Sequence, residues 1–342
     1  MSPSIWKQVL STYFFVCSWM SVSMAVIMYN KWLLAYYGFP YPLTLTMWHM
    51  FFCSSVAFVF VRVLKLVKGV NMSSADYRKR VLPIGALYAA SLWLSNSAYL
   101  HLSVSFIQMT KALMPGLVYM IGCFMHTEPY SAKVTTNMVV IAIGVGIAAY
   151  GEVNFVVVGV VQQLSSLVFE ATRLMLVQVL MNSQGMALNP IQSLYYVSPA
   201  CLLCLSLPFA AIELPLLLQR EHWDVSALVL LGNAVTAFML NLAVFMLIGK
   251  TSALTMNIAG VIKDWLLIWM SANVFAAPVT ALNLVGYFLA FLAVCFYNNH
   301  KLQQIKRGPS KDGPKSAKSE DDRESAAASM LENGERECKG SK

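Results

Sequence analysis

The sequence predicts an all-α membrane protein of ten transmembrane helices arranged as a 5+5 inverted repeat. Three observations predict it. Hydrophobic residues make up 58% of the chain and charged residues 12%, against roughly 25% charged in soluble domains. Ten apolar runs follow one another, each near the length of about 20 residues that a helix needs to cross a bilayer. Finally, two pairs of these runs match each other five spans apart, an odd shift that reverses direction across the membrane.

The spans fall at about 11–35, 43–67, 81–101, 103–125, 134–152, 155–181, 191–217, 225–249, 252–275 and 279–300. The first apolar run starts near residue 9 and continues past Met28, too long for a signal-peptide core and without an A-x-A site, so it is expected to remain as a helix. It leaves no room for an Arg- and Ser-rich transit peptide, which argues against a plastid or mitochondrial destination. GFPYP at 38–42 separates the first two spans and NSQGMALNP at 182–190 separates six from seven, both punctuated by Gly and Pro. KGVNMSSADYRKR at 68–80 is the one long charged loop between spans. At residues 102 and 251 the hydrophobicity barely dips.

Span four holds Lys111 and, four residues on, Pro115, whose ring clashes with the lysine's carbonyl and removes a helix hydrogen bond. A kink is expected there. In span five Ala142, Gly146 and Ala149 share one face, and Gly144, Ala148 and Gly151 another. Small faces let helix backbones approach closely in lipid. Residues 1–302 form the transporter-like helical domain. From Gln303 on, the chain is rich in Lys, Glu, Ser and Gly, buries too little to order itself and is expected to be a disordered cytosolic tail, 303–342.

Charge placement sets orientation. Lys7, Arg62, Lys65, Arg78, Lys79, Arg80, Lys133 and Lys301 flank odd-numbered ends and loops, while Lys31, Arg220 and Glu152 lie on the other side. By the positive-inside rule both termini are cytosolic. The net charge of +8 is scattered over membrane-flanking loops with no contiguous basic face, which excludes nucleic acid as a partner. The seven cysteines are mostly in apolar runs and read as packing residues, Cys201-x-x-Cys204 included.

The repeat rests on a short alignment. Asn96-Ser97-Ala98-Tyr99 lines up with Asn241-Leu242-Ala243-Val244, Leu102-Ser103 with Leu254-Thr255, and Lys111 then falls on Lys263. Inverted repeats of this kind build secondary transporters whose site lies at the midplane between the halves.

The candidate site follows from cost. A charge at the bilayer centre costs at least ~2.5–3.5 kcal/mol and faces the bundle interior or a water-filled path. Lys263 and Asp264 sit side by side inside SALTMNIAGVIKDWLLIWMSANVF, and Lys111 inside another apolar run. Two buried ammonium groups, compact donors on flexible stems, suit the oxygens of a phosphate. A purely structural salt bridge is the bland alternative. Neighbours on a helix point about 100° apart, so Asp264 is expected to meet another helix, a sugar hydroxyl or Lys111 rather than Lys263.

Glu170 and Arg173 in FEATR are three apart and can pair on one helix face. Asn30 and Lys31 end the first span, as part of a gate or as a lysine snorkelling to the interface. Asn96 and Asn241 are amides that contact substrate or bridge helices. Tyr195 and Tyr196 offer hydroxyls or a ring for a base to stack on. His49 and His101 have no Cys or carboxylate at metal-ligand spacing, and there is no Walker loop, G-x-S-x-G or H-E-x-x-H. Neither an enzyme nor a cofactor or metal site is expected.

SVSFIQMTKALMP and TSALTMNIAGVIKDWLL, with NKWLL, ALYAASLWLSNSAY, FEATR, NPIQSLYYVSP and LNLAVFMLIGKTSALTMN, closely resemble the triose-phosphate-translocator-like family of plants, within the drug/metabolite transporter superfamily. The likeness covers essentially all ten spans and fits the branch named for its Lys-Asp pair. It implies a ten-helix antiporter of organic phosphates. In plastid members a lysine in helix four and a Lys-Arg pair in helix nine clamp a phosphate. Lys111 and Lys263 match two of these positions, whereas Asp264 stands where the arginine would be, which casts doubt on simple triose-phosphate/phosphate exchange.

The resemblance therefore implies a Golgi membrane antiporter exchanging a nucleotide sugar, of UDP-pentose type, for a nucleoside monophosphate. A sugar-phosphate/phosphate antiporter is the alternative. A proton-coupled metabolite exporter, with Asp264 or Glu170 as proton carrier, is the reading from a different class. The expected partners are the organic phosphate, its counter-substrate and membrane lipid, with a homodimer left open.

Overall fold

A computed structural model describes residues 3–67, 72–153, 155–184, 190–220, 225–247 and 253–306. The join at 251 and most of the tail lie outside the described residues. The chain divides into two compact units, Met1–Phe291 and Leu292–Lys342. The contacts and the site that follow belong to the first.

Among the described residues the structure is all helical. The long helices are α1 (Pro3–Ala35), α2 (Pro42–Val63), α3 (Leu82–His101), α4 (Val104–Phe124), α5 (Ala132–Tyr150) and α6 (Val157–Gln184). They continue as α7 (Pro190–Pro208, prolonged by the π turn Phe209–Glu213 and Leu214–Leu218), α8 (Ala227–Leu247), α9 (Ala253–Val274) and α10 (Ala281–Lys306). Among the described residues, seven of them contain stretches long and apolar enough to cross a membrane. The other three, α3, α6 and α9, carry Asn96, Glu170 with Arg173, and Lys263 with Asp264. These polar side chains need an interior to face.

The join at residue 102 is a true break. Leu102 and Ser103 are extended, and Ser103 caps α4 by accepting from the backbone N–H of Phe106 at 3.1 Å. The expected kink at Pro115 appears as a 3-10 turn over Lys111–Leu113. The carbonyl of Lys111, which Pro115 cannot serve, is taken instead by the N–H of Met114.

Of the two small faces of α5, one makes the close helix crossing. A Cβ at Gly286 would lie 2.4 Å from Ala148 N and 2.6 Å from Gly144 O, and one at Gly144 would lie 2.7 Å from Ala290 N and 2.8 Å from Gly286 O. The relation is reciprocal and antiparallel: Gly144 meets Ala290, Ala148 meets Gly286, and Gly151 meets Asn283. Asn283 Nδ2 adds a bond to Ala148 O at 2.6 Å. Gly146, on the other face, has nothing near it.

One end of the bundle is packed shut. Leu33, Leu34, Phe39, Leu102, Val104, Phe106, Ile107 and Leu267 form one cluster, all at most 2% exposed. Tyr36 stacks on Phe275 with ring centroids 4.9 Å apart. Glu213, brought round by the π turn after Pro208, accepts from the N–H groups of Leu43 and Thr44 at 2.8 and 2.7 Å and from the Thr44 hydroxyl at 2.6 Å. It thus fastens α7 to the otherwise uncapped start of α2, where the helix dipole favours a carboxylate.

Candidate functional site

The seal stops at Lys111. Every residue of Val104–Thr110 is buried, none of Lys111–Leu113 is, and in Met114–Phe124 only Tyr119 and Gly122 are. Lys111 thus sits where α4 leaves the packed end, on the tightened turn that Pro115 imposes. It lies within electrostatic reach of Lys263, Asp264 and Glu170, so the structure joins α4, α6 and α9 at one charged centre.

The charges there are unequally engaged. Arg173 Nε donates to Glu170 Oε2 at 2.9 Å, its Nη2 donates to Oε1, and the guanidinium lies 4.7 Å from the centroid of the Tyr88 ring. That pair is closed on itself. Lys263 Nζ is 3.4 Å from Asp264 Oδ1 and 5.5 Å from the centroid of Trp19. The expectation that Lys263 and Asp264 would not meet is thereby corrected: the four-carbon lysine stem curls back far enough to overcome their divergent directions. The contact is longer than an ordinary N–H···O bond, and among the described residues Asp264 Oδ1 has no hydrogen-bond partner. Among the described residues Lys111 has neither a hydrogen bond nor an ion pair for its ammonium. Three cations stand against two carboxylates with one cation uncommitted, an excess of positive charge that can attract an anion.

The chain matches the Triose-phosphate Transporter family over residues 9–298. It belongs to that family. A probable sugar phosphate/phosphate translocator of Arabidopsis thaliana is 51% identical over 340 residues, 99% of this chain and 96% of the relative. A second, also of Arabidopsis thaliana, is 50% identical over 324 residues, covering 94% and 92%. UDP-uronic acid transporter 1 of the same plant is 32% identical over 308 residues, covering 88% and 99%. As a member of the triose-phosphate transporter family the protein is a multi-pass membrane transporter and not an enzyme.

Other family-motif residues stand apart from the charged centre. Lys31, in NKWLL, is buried in the seal: its Nζ donates to Tyr99 O at 2.7 Å and Leu102 O at 2.9 Å, the carbonyls at the end of α3. Glu152, just beyond α5, feels its charge and accepts from the Ser103 hydroxyl at 3.1 Å. Asn30 and Asn96 belong to a buried polar chain. Asn96 Nδ2 donates to Thr46 Oγ1 at 2.9 Å, Asn30 Nδ2 reaches Asn96 Oδ1 at 3.4 Å, and Asn233 Nδ2 donates to Asn30 Oδ1 at 2.9 Å. His49 Nε2 closes it on Asn233 Oδ1. Asn241, expected to mirror Asn96, donates among the described residues only to Ala237 O on its own helix at 2.9 Å.

Tyr195 and Tyr196 line a pocket of about 300 Å³ with Ser54, Phe58, Tyr77 and Pro199. Arg62 Nε donates to the Tyr195 hydroxyl at 3.0 Å, and Tyr77 to Tyr196 O at 3.0 Å. Sequence reasoning missed Asn233 and Glu213 and left His49 isolated. A carboxylate inside the apolar run LSLPFAAIELPLLL was the available signal for Glu213.

Proposed function

We propose that the protein is an antiporter of sugar-bearing organic phosphates in a membrane of the secretory pathway, its most specific cargo a nucleotide sugar exchanged for a nucleoside monophosphate. The observation that carries the proposal is the uncommitted Lys111 beside Lys263, Asp264 and Glu170. An ammonium kept unpaired inside an apolar bundle costs free energy that a phosphate returns on binding. Asp264 half-engages Lys263 and so weakens any clamp on a small phosphate, while offering an acceptor to a sugar hydroxyl.

The ten long helices and the reciprocal crossing of α5 and α10 support a 5+5 inverted repeat, since a two-fold axis in the membrane plane makes its paired helices antiparallel. In that arrangement the sealed end faces the lumen, the charged centre is reached from the cytosol, and Lys31 and Glu152 are the luminal gate. Two lysines cannot readily cross empty, so bound anion is required for the halves to rock, which makes transport an exchange.

A second reading is favoured by the relatives that are named probable sugar phosphate/phosphate translocators, and it takes the same site. Proteoliposomes preloaded with UMP, GMP, CMP or phosphate and offered nucleotide sugars and sugar phosphates separate the two. Uptake of a nucleotide sugar driven by internal monophosphate supports the first; phosphate-driven uptake of a sugar phosphate alone replaces it with the second.

A further inference from the structure

One turn from Lys111 towards the seal lies an amide that the fold does not use. Gln108 is 1% exposed, and among the described residues both its Nε2 and Oε1 lack a hydrogen-bond partner. Its helix neighbours Phe106, Ile107 and Met109 are equally buried, so this stretch of α4 is packed on every side. Buried polar groups in native proteins are paired with few exceptions, and each exception calls for a reason. A leucine would fill the space without the desolvation cost.

Two further orphans lie on the same side of the charged centre. Gln163 Oε1 is on α6, seven residues nearer the seal than Glu170. Ser271 Oγ is on α9, seven residues nearer the seal than Asp264. Seven residues are two helical turns, so each orphan shares a face with the charged residue of its helix. On α4 the offset is three residues, about 4.5 Å along the axis, and again one face. That offset is close to the distance from a phosphate to the hydroxyls of the sugar that carries it.

We propose that Gln108 is a specificity-determining residue that reads the hydroxyls of the substrate's sugar while Lys111 and Lys263 hold the phosphate. The inference rests on the anion seat under Proposed function. A carboxamide suits the task because it offers a donor and an acceptor to a vicinal diol, whereas inorganic phosphate, seated on the lysines, does not extend to it. Lying on the inner margin of the seal, the amide is uncovered as the seal loosens around bound substrate.

The test is thermal unfolding of the purified full-length protein with inorganic phosphate, glucose 6-phosphate or UDP-xylose added, for wild type, Gln108→Leu and Lys263→Ala. Gln108→Leu without ligand is expected to melt at or above the wild-type temperature, because it removes two unpaired polar atoms. It keeps the phosphate-induced shift, and its apparent Kd for whichever sugar ligand stabilises the wild type rises about tenfold or more. Unchanged sugar-ligand affinity in a folded Gln108→Leu overturns the proposal, as does an equal weakening towards phosphate. A lower melting temperature without ligand makes Gln108 a structural residue and also overturns it. Ligand shifts that survive Lys263→Ala, or no shift in wild type, instead overturn the anion seat itself.

Discussion

The ammonium of Lys31 donates to the carbonyl oxygen of Leu102 at 2.9 Å, across 71 residues of chain. With Tyr99 O as its second acceptor, it supplies the positive charge that the end of α3 calls for. Hydrogen bonds to a charged group contribute about 1.5–3 kcal/mol each. Lys31→Met is therefore expected to lower the melting temperature by several degrees. It should also make a cysteine at Leu102 reactive to a membrane-impermeant thiol reagent, read by mass spectrometry at that site. Full protection of that cysteine would mean that the apolar cluster seals the end unaided.

Glu152 lies beyond α5 and gives the seal a pH dependence. Burial raises its carboxyl above the ordinary 4.5, while the Ser103 hydroxyl and the charge of Lys31 pull it back down. A carboxyl raised in the folded state contributes stability that is fully present below the unfolded value and is lost as pH rises through the folded one. Glu152→Gln should thus match wild type at pH values below the ordinary carboxylate value and melt higher at neutral pH. If the variant melts lower at pH 7, the attraction to Lys31 outweighs burial.

The crossing of α5 and α10 predicts a sharp contrast between glycines. Gly286→Ala puts a Cβ 2.4 Å from backbone and must push the helices apart, at a cost of about 1–3 kcal/mol. Gly146→Ala meets nothing and should be neutral. Size-exclusion profiles of fluorescent fusions before and after heating compare the two. Equal profiles would remove the close crossing.

What the sequence made legible were the expensive residues. Lys111, Lys263, Asp264, Glu170 and Arg173 stand out because a charge in an apolar run carries a penalty that needs an explanation, and the structure brings them to one centre. The tightened turn before Pro115 was legible from local chemistry, whereas the break at Leu102 was only faintly marked, because the hydrophobicity barely dips there. The seal was not. Lys31, Glu213 and His49 are committed to backbone groups or an amide 68 to 184 residues away, which no local pattern shows. The two small faces of α5 are equivalent in sequence, and only the partner helix distinguishes them. Asn96 and Asn241 align, yet one joins the buried network and the other turns to its own helix.

That difference is testable. Asn233→Leu removes the donor to Asn30 Oδ1 and the partner of His49, leaving buried groups unpaired at about 1–3 kcal/mol each. Asn241→Leu removes a bond within one helix only. The first should lose thermal stability and the second should not. Lost exchange in a stable Asn241→Leu would mark Asn241 as a substrate contact, and instability would show that it bridges helices after all.

The central claim is that Lys111 and Lys263 seat the anion whose binding permits exchange. The most direct measurement is uptake by proteoliposomes, preloaded or empty, of wild type, Lys111→Ala and Lys263→Ala, using the cargo that the exchange panel identifies. Wild type should take up substrate into preloaded vesicles at least tenfold faster than into empty ones. Both variants should fall to the empty-vesicle rate while keeping wild-type levels in the membrane, since removing a midplane charge lowers the insertion cost. Wild-type exchange by either folded variant would contradict the account and move the site elsewhere.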